Sequence, residues 1–355
     1  LEKLLSLYLY RIDATTPIKE IRTLKNEQSF AWSPCGECIA TSFFSNQIFD
    51  VFSGTVSKKM GIDAEQFLKR KHPALLLRKG FMEQYFEKEM VWSSCGTYVA
   101  LTSIIRDLFI INMKAGSPRI ISAKLLNSEF TLLSFSPSND AIAFTNKNKT
   151  EINSNDLWLW NFQTESYTKI LRGHTAPIVS IHWSPCGQFI LTMSKDKTGR
   201  IWNTITLECK EIISFPVLEV QTSVLSPCGK FIAIGPLFSG DITEFYGVAI
   251  FDICYPQNPL QIVSFRYDET RKIAWSPKSN LLAIATDLLL AIANPFSGEI
   301  VQTVKPNYPV NHISWSPCGR FLAFNDYDAD ENAGIVRIFG IRRHQLTLDQ
   351  QLAVL

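Results

Sequence analysis

Short apolar runs separated by tight polar turns recur along the whole chain. The most complete example lies in residues 171–203, where Ile178–Trp183 and Phe189–Met193 flank a Ser-Pro-Cys-Gly turn and Arg200–Trp202 follows a second polar turn. Runs of this length that are rich in β-branched and aromatic residues are typical of β-strands. Proline and glycine supply the backbone conformations that tight turns need. The pattern therefore predicts three short strands joined by two turns, with a fourth strand, Thr168–Leu171, leading in.

The same pattern occurs seven times, and each copy is anchored on an aromatic residue or a leucine just before the first turn. Consecutive anchors are 40 to 60 residues apart. The anchors are Trp32, Trp92, Phe135, Trp183, Leu225, Trp275 and Trp315. A unit of roughly 40 to 45 residues with four strands indicates a repeat architecture, in which each unit forms one small sheet.

Four side chains of the most complete unit have complementary hydrogen-bonding capacity: His174, Thr192, Asp196 and Trp202. An indole only donates, a carboxylate only accepts, and a hydroxyl or a neutral imidazole does both. A chain from Trp through Thr and His to Asp would satisfy every member, which is the condition for a buried polar network to stabilise a fold. The alternative, a Thr–His–Asp catalytic triad, fits less well because Thr192 lies inside a predicted strand and not on a strained nucleophile turn.

With Gly173-His174 at its start and Trp202-Asn203 at its end, this unit resembles a WD40 repeat in which Asn replaces the family's final Asp. The resemblance implies that the four side chains form the family's structural tetrad. It also implies an all-β fold, a seven-bladed β-propeller of four-stranded antiparallel blades. The last unit supplies only three strands, so we predict that Ile18–Leu24 completes it and closes the ring, which removes two exposed sheet edges. Leu7–Ile12 is then surplus, either an added outer strand or a fragment of an eighth blade.

We predict one domain over residues 1–355, with two helical additions. An insertion at residues 57–73 carries a basic cluster, Lys69, Arg70 and Lys71, on a helix that ends at a proline. This helix is either a solvated loop element or a docking element for an acidic partner, a phosphate or a membrane surface. Residues 345–355 begin with a capping box and predict a short C-terminal helical tail.

Composition narrows the classes of function. The formal net charge is +2, which gives no overall field that would recruit nucleic acid, and no apolar run is long enough for a transmembrane segment. Five of the eight cysteines share one turn position, without the paired spacing of a zinc site. Phosphate loops and catalytic motifs are missing, and Asp326 lacks the ligand pattern of a calcium loop. We therefore expect no cofactor, no metal site and no enzymatic activity, and a cytoplasmic protein with the nucleus as the alternative location.

The resemblance implies a protein-interaction scaffold or adaptor that binds a peptide or protein partner on the top face of the propeller. We expect an acidic or phosphorylated partner, because the candidate face contains several cations. The candidate face residues are Gln28, Phe86, Lys88, Thr131, Val179, Lys195, Gln221, Arg271, Asn311 and Tyr327. Two alternatives stay open: a propeller enzyme with a site in the central channel, and a sensor or platform domain of a larger multidomain protein.

Overall fold

The structure is a computed structural model that describes most of the chain. The residues described are 19–23, 30–41, 47–51, 53, 55–59, 90–102, 108–113, 121–122, 128–148, 155–164, 166–217, 220–238, 245–266, 270–278, 280–328 and 333–341. They form β-strands, turns and loops, and there is no helix among them. In this part of the chain, no helix could therefore serve as a transmembrane span.

The strands form seven sheets of four. The first three sheets, in chain order, contain the following strands. Blade 1 contains β2 (Phe30–Trp32), β3 (Cys38–Thr41), β4 (Gln47–Asp50) and β5 (Val56–Lys59). Blade 2 contains β6 (Met90–Trp92), β7 (Tyr98–Thr102), β8 (Leu108–Asn112) and β9 (Ile121–Ser122). Blade 3 contains β10 (Ser128–Phe135), β11 (Ala141–Asn148), β12 (Leu157–Asn161) and β13 (Ser166–Leu171).

The remaining sheets follow the same order. Blade 4 contains β14 (Ile178–Trp183), β15 (Phe189–Ser194), β16 (Thr198–Asn203) and β17 (Cys209–Ser214). Blade 5 contains β18 (Thr222–Leu225), β19 (Phe231–Phe238), β20 (Phe245–Asp252) and β21 (Gln261–Arg266). Blade 6 contains β22 (Thr270–Trp275), β23 (Leu282–Thr286), β24 (Leu290–Ala293) and β25 (Ile300–Val304). Blade 7 contains β26 (Ile313–Trp315), β27 (Phe321–Asp328), β28 (Ala333–Gly340) and β1 (Lys19–Thr23).

The first strand of the chain completes the last blade. β1 pairs antiparallel with β28, from Lys19 opposite Ile338 to Thr23 opposite Gly334. Ile21 at the centre of this strand is buried. The predicted seven-bladed propeller and its closure by the N-terminal segment are therefore confirmed.

The repeat of the sequence and the blade of the structure are out of phase by one strand. The strand that leads into the fourth unit, β13, pairs with β12 and is the outermost strand of blade 3. Each such unit therefore contributes its first strand to one blade and its next three strands to the following blade. This covalent overlap ties neighbouring blades together around the ring.

The predicted insertion overlaps one strand at its start. It was predicted to begin at Ser57, whereas residues 57–59 lie in β5, which pairs with β4. The rest of the insertion with its basic cluster, the segment Leu7–Ile12 and the tail 345–355 lie outside the described residues.

Apolar side chains fill the spaces between adjacent sheets. One cluster joins Val248 and Phe265 of blade 5 to Trp275 and Leu282 of blade 6, and the other clusters likewise combine two neighbouring blades. The sheets thus pack face to face, and blades 3 to 7 each share an apolar cluster with both of their neighbours.

Four anchor tryptophans add a polar link between blades. Each indole N–H donates to the backbone carbonyl of the residue before the preceding blade's anchor. The pairs are Trp32 with Ser314 (3.1 Å), Trp92 with Ala31 (3.2 Å), Trp183 with Ser134 (3.2 Å) and Trp315 with Ala274 (3.0 Å). The anchors that define the sequence repeat therefore also connect the innermost strands around the ring.

Candidate functional site

Blade 4 brings His174, Thr192, Asp196 and Trp202 into one chain of hydrogen bonds. The indole N–H of Trp202 donates to Thr192 Oγ1 over 2.9 Å. Thr192 Oγ1 lies 2.8 Å from His174 Nε2, and His174 Nδ1 lies 2.8 Å from Asp196 Oδ2. Because the carboxylate only accepts, His174 donates from Nδ1, and its bare Nε2 accepts from the Thr192 hydroxyl. Each of the four side chains therefore has a hydrogen-bond partner, and the direction of every hydrogen bond in this network is fixed.

The electrostatics of the tetrad hold the carboxylate charged and the imidazole neutral. Burial of Asp196 opposes its ionisation, but hydrogen bonds from Thr198, His174 and the Thr175 N–H outweigh that effect and lower its pKa to about 2. Burial also lowers the pKa of His174, although Asp196 acts in the opposite direction. His174 is therefore neutral at neutral pH, as the donation pattern requires.

The tetrad fixes two connections to each other. One is the loop between blades 3 and 4, residues 172–177, and the other is the turn between β15 and β16. Asp196 of the turn accepts from the Thr175 N–H (3.0 Å), Ser194 Oγ donates to the Ala176 carbonyl (2.8 Å), and the Lys195 N–H donates to the Pro177 carbonyl (2.9 Å). We call the end of the propeller where inter-blade loops meet these second turns the upper face.

Blade 7 uses different residues for the same connection. In blade 7 the buried carboxylate of Asp326 accepts from the backbone N–H groups of Asn307 and Tyr308 (3.1 Å each) and pairs with Arg337 (2.8 Å). Arg337 also lies 3.1 Å from Glu20 on the closing strand β1. Asp326 therefore fixes an inter-blade loop. Among the described residues, no group of three or more metal-ligating side chains is suited to a metal ion.

Five of the predicted face residues have described side chains, and the structure places all five at the upper face. Lys195, Gln221 and Asn311 are exposed, whereas Val179 is half-buried against the core between blades 4 and 5. Arg271 is paired with Asp287 of the second turn in its own blade. Its positive charge is thus partly neutralised within the chain, which the sequence pattern did not indicate.

The other five predicted residues are less fully described. Thr131 lies in β10 and Tyr327 in β27, each located by its backbone. Gln28, Phe86 and Lys88 lie outside the described residues.

Two exposed basic residues of the upper face were missed by sequence reasoning. Arg172 precedes the Gly-His pair, with its side chain 72% exposed and 3.3 Å from Asp156, and Lys197 directly follows Asp196. The sequence feature that could have identified them is their position close to the tetrad residues His174 and Asp196. Because the tetrad fixes the loop and the turn, the residues beside it are held at the surface.

Two stretches of the chain match known repeat models. Residues 165–203 match the model described as WD domain, G-beta repeat, and residues 273–348 match the model described as Anaphase-promoting complex subunit 4 WD40 domain. The chain is a WD40-repeat β-propeller. The first match coincides with the tetrad-bearing unit.

The apolar character of the other blades explains why one unit of this WD40 propeller stands out. The position of Thr192, nine residues after the anchor, is buried in every other blade as well. Its counterparts are Thr41, Leu101, Phe144, Ile234, Ile284 and Phe324. Five of these six are apolar, so those blades replace a polar network by apolar packing at the same place.

Several WD-repeat and related proteins are similar to parts of this WD40 propeller. "Protein HIR1" of Cryptococcus neoformans is 30% identical over 157 residues, which cover 41% of this chain and 17% of the relative. "WD repeat and HMG-box DNA-binding protein 1" of Xenopus laevis is 24% identical over 197 residues, 54% of this chain and 14% of the relative. "Guanine nucleotide-binding protein subunit beta" of Nicotiana tabacum is 35% identical over 71 residues, 20% of this chain and 19% of the relative. The matches thus span less than a fifth of each relative.

Proposed function

We propose that this WD40 propeller is a non-catalytic scaffold that binds a protein or peptide partner on its upper face. The observation that carries the proposal is the basic edge of blade 4, formed by the exposed side chains Arg172, Lys195 and Lys197. Two acids lie beside them: Asp196 has its carboxylate directed inward to His174 and to backbone N–H groups, and Asp156 pairs with Arg172. The edge therefore carries three cations against one outward carboxylate, and its outward charge is positive.

The hydrogen bonds of the tetrad support binding by this edge. Because the loop and the turn are already connected to each other, little backbone freedom remains to be lost when a partner binds. Three cations on such a surface suit a carboxylate-rich or phosphorylated segment, since charge-assisted hydrogen bonds to these groups are stronger than neutral ones. Gln221 and Asn311 extend the polar surface on neighbouring blades.

A protein partner fits this chain better than nucleic acid, because the net charge is only +2 and the cations are local. One relative is named a DNA-binding protein, but the match covers 14% of it. From that name we extend to this chain only the nucleus as an alternative location to the cytoplasm. The predicted roles of Gln28, Phe86, Lys88 and the basic cluster of the insertion stay predictions.

A second candidate is a platform domain of a larger protein. The matched segments are less than a fifth of each relative, so in those proteins the similar region is one part of a longer chain. A platform would still use the upper face, but for a segment of its own protein. Catalysis is the weaker alternative, because the Thr192 hydroxyl is fully buried between Trp202 and His174, where a substrate does not reach it.

The test is binding of a peptide library to the double variant Lys195→Ala/Lys197→Ala. The matched control is Lys230→Ala/Lys278→Ala, which removes two exposed lysines at the opposite end of the propeller. Fluorescence anisotropy with glutamate-rich, phosphoserine and neutral peptides gives the affinities. We expect a loss of about 3- to 30-fold for acidic and phosphorylated peptides in the upper-face variant, smaller at high salt. Equal affinities for both variants would refute the role of this edge.

A further inference from the structure

Five exposed cysteines occupy the same place in five blades, on the face opposite the upper face. Each is the third residue after its anchor, in the turn between the first and second strands of its blade. We call this set the lower ring. Its members are Cys35, Cys95, Cys186, Cys228 and Cys318, and each is a free, exposed thiol.

Every thiol of the lower ring has a serine hydroxyl beside it. In blade 4, Ser184 Oγ accepts the backbone N–H of Phe189 (3.0 Å) and lies 3.3 Å from Cys186 Sγ. Because the serine oxygen already accepts this N–H, its own hydrogen can be directed at the sulfur. The same pair of contacts recurs in the other four blades, with sulfur–oxygen distances of 3.2 to 3.5 Å. Hydrogen-bond donation to sulfur favours the thiolate over the thiol.

Hydrogen bonds lower the thiol pKa of two members of the lower ring. The Ser184 hydroxyl and the Gln188 backbone lower the pKa of Cys186. Burial acts to raise the pKa of Cys95, but hydrogen bonds from Ser93 and Thr97 outweigh it and lower the value. The reactive form of cysteine in exchange reactions is the thiolate, so both positions favour nucleophilic attack.

Some of the neighbouring turns lie close together. A Cβ atom placed on Gly96 would lie 3.7 Å from Pro34 of the neighbouring turn, and one on Gly36 would lie 3.6 Å from Pro317, whereas one on Gly229 would have nothing within 4 Å. Proline and glycine residues therefore bring together the turns of blades 7, 1 and 2. The thiols are not bonded to one another, and no metal-binding group of three or more side chains includes them within the described chain.

We propose that the lower ring is a multiple thiol-modification site that takes up low-molecular-weight disulfides of the glutathione type. In each event the thiolate sulfur of a ring cysteine attacks one sulfur of the disulfide. A new sulfur–sulfur bond forms while the original one breaks, and the second half leaves as a thiolate that takes up a proton from water. Each adduct adds a bulky, net-negative tripeptide, so several adducts change both the shape and the charge of this face.

The chain contains its own controls for this chemistry. Cys254 is also exposed, but it lies in the turn after β20 and its side chain makes no hydrogen bond within the described residues. Blade 3 has Ser138 at the ring position, where its hydroxyl donates to Ser136. The fold therefore accepts a serine at this place, which makes Cys→Ser substitutions suitable.

The experiment exposes the native protein to oxidised glutathione near neutral pH and measures adducts by intact mass and peptide mapping over time. We expect several adducts on ring cysteines, with Cys95 and Cys186 reacting faster than Cys254, by about 3-fold for each unit by which a pKa is lowered. A variant with serine at all five ring positions should keep its circular dichroism and lose these adducts.

Three results would overturn the proposal. The first is modification of Cys254 as fast as of Cys186, which needs no variant to observe. The second is a decrease of the intact mass by the hydrogens of paired thiols, without an adduct, which indicates disulfides between blades instead of mixed disulfides. The third is an unchanged adduct count in the five-serine variant. Because the lower ring lies opposite the upper face, peptide binding at the upper face tests the proposed function separately.

Discussion

Replacing Thr192 by valine is the most direct test of the tetrad. Valine has nearly the same shape, so the substitution removes the hydroxyl while the strand and its packing stay in place. The Trp202 N–H then loses its acceptor, and His174 Nε2 loses its donor. Both groups are buried, with Trp202 2% and His174 6% exposed, so water does not replace the lost partner.

The magnitude follows from these two groups. A buried polar group without a partner costs about 1 to 3 kcal/mol, so two of them cost about 2 to 6 kcal/mol. The added methyl group recovers about 1 kcal/mol through apolar burial. We therefore expect Thr192→Val to lower the free energy of unfolding by about 1 to 5 kcal/mol. Guanidinium unfolding followed by tryptophan fluorescence and circular dichroism measures this change.

Thr41 provides a matched control for this substitution. It occupies the equivalent position in blade 1 and is fully buried, but its hydroxyl has no hydrogen-bond partner among the described residues. Thr41→Val should therefore leave stability unchanged or raise it by up to about 1 kcal/mol. If both valine variants unfold within about 0.5 kcal/mol of each other, the tetrad does not stabilise this propeller and the reasoning is wrong.

Three further predictions concern the links between blades, acid stability and ring closure. Trp315→Phe should cost about 1 kcal/mol more than Trp275→Phe in guanidinium unfolding, because both anchors are 7% exposed but only Trp315 has a partner for its N–H among the described residues; equal costs would contradict this. Burial lowers the pKa of His182 and His312 from 6.5 to about 4, with Lys272 adding to the effect at His312, so both stay neutral in the fold and stability should fall as the pH drops from 6.5 towards 4. Replacing both histidines by glutamine should reduce this slope, and an unchanged slope would exclude them as its source. Ile21→Ala on the closing strand should lower the free energy of unfolding by about 2 to 5 kcal/mol, and a change below about 0.5 kcal/mol would show that closure adds little.

Much of the candidate face was predicted from the sequence, but its electrostatics were not. The positions of Lys195, Gln221 and Asn311 on one end followed from the repeat, because equivalent residues of equivalent units share an end of the ring. The pairing of Arg271 with Asp287 depends on how a second turn folds back on the strand before it. The exposure of Arg172 and Lys197 depends in turn on the tetrad that fixes their loop and turn.

The sequence by itself determined the local units of this protein: the three inner strands of each repeat, which turns are tight, how many blades there are and which segment closes the ring. These features depend on alternation, turn chemistry and period, which are properties of neighbouring residues. Only the tertiary structure decided that the lead-in strand belongs to the preceding blade, that the Trp32 N–H donates to Ser314 across the closure, and that the carboxylate of Asp326 fixes a loop. Such partners are distant in sequence, and they meet because the ring closes, so no local pattern specifies them.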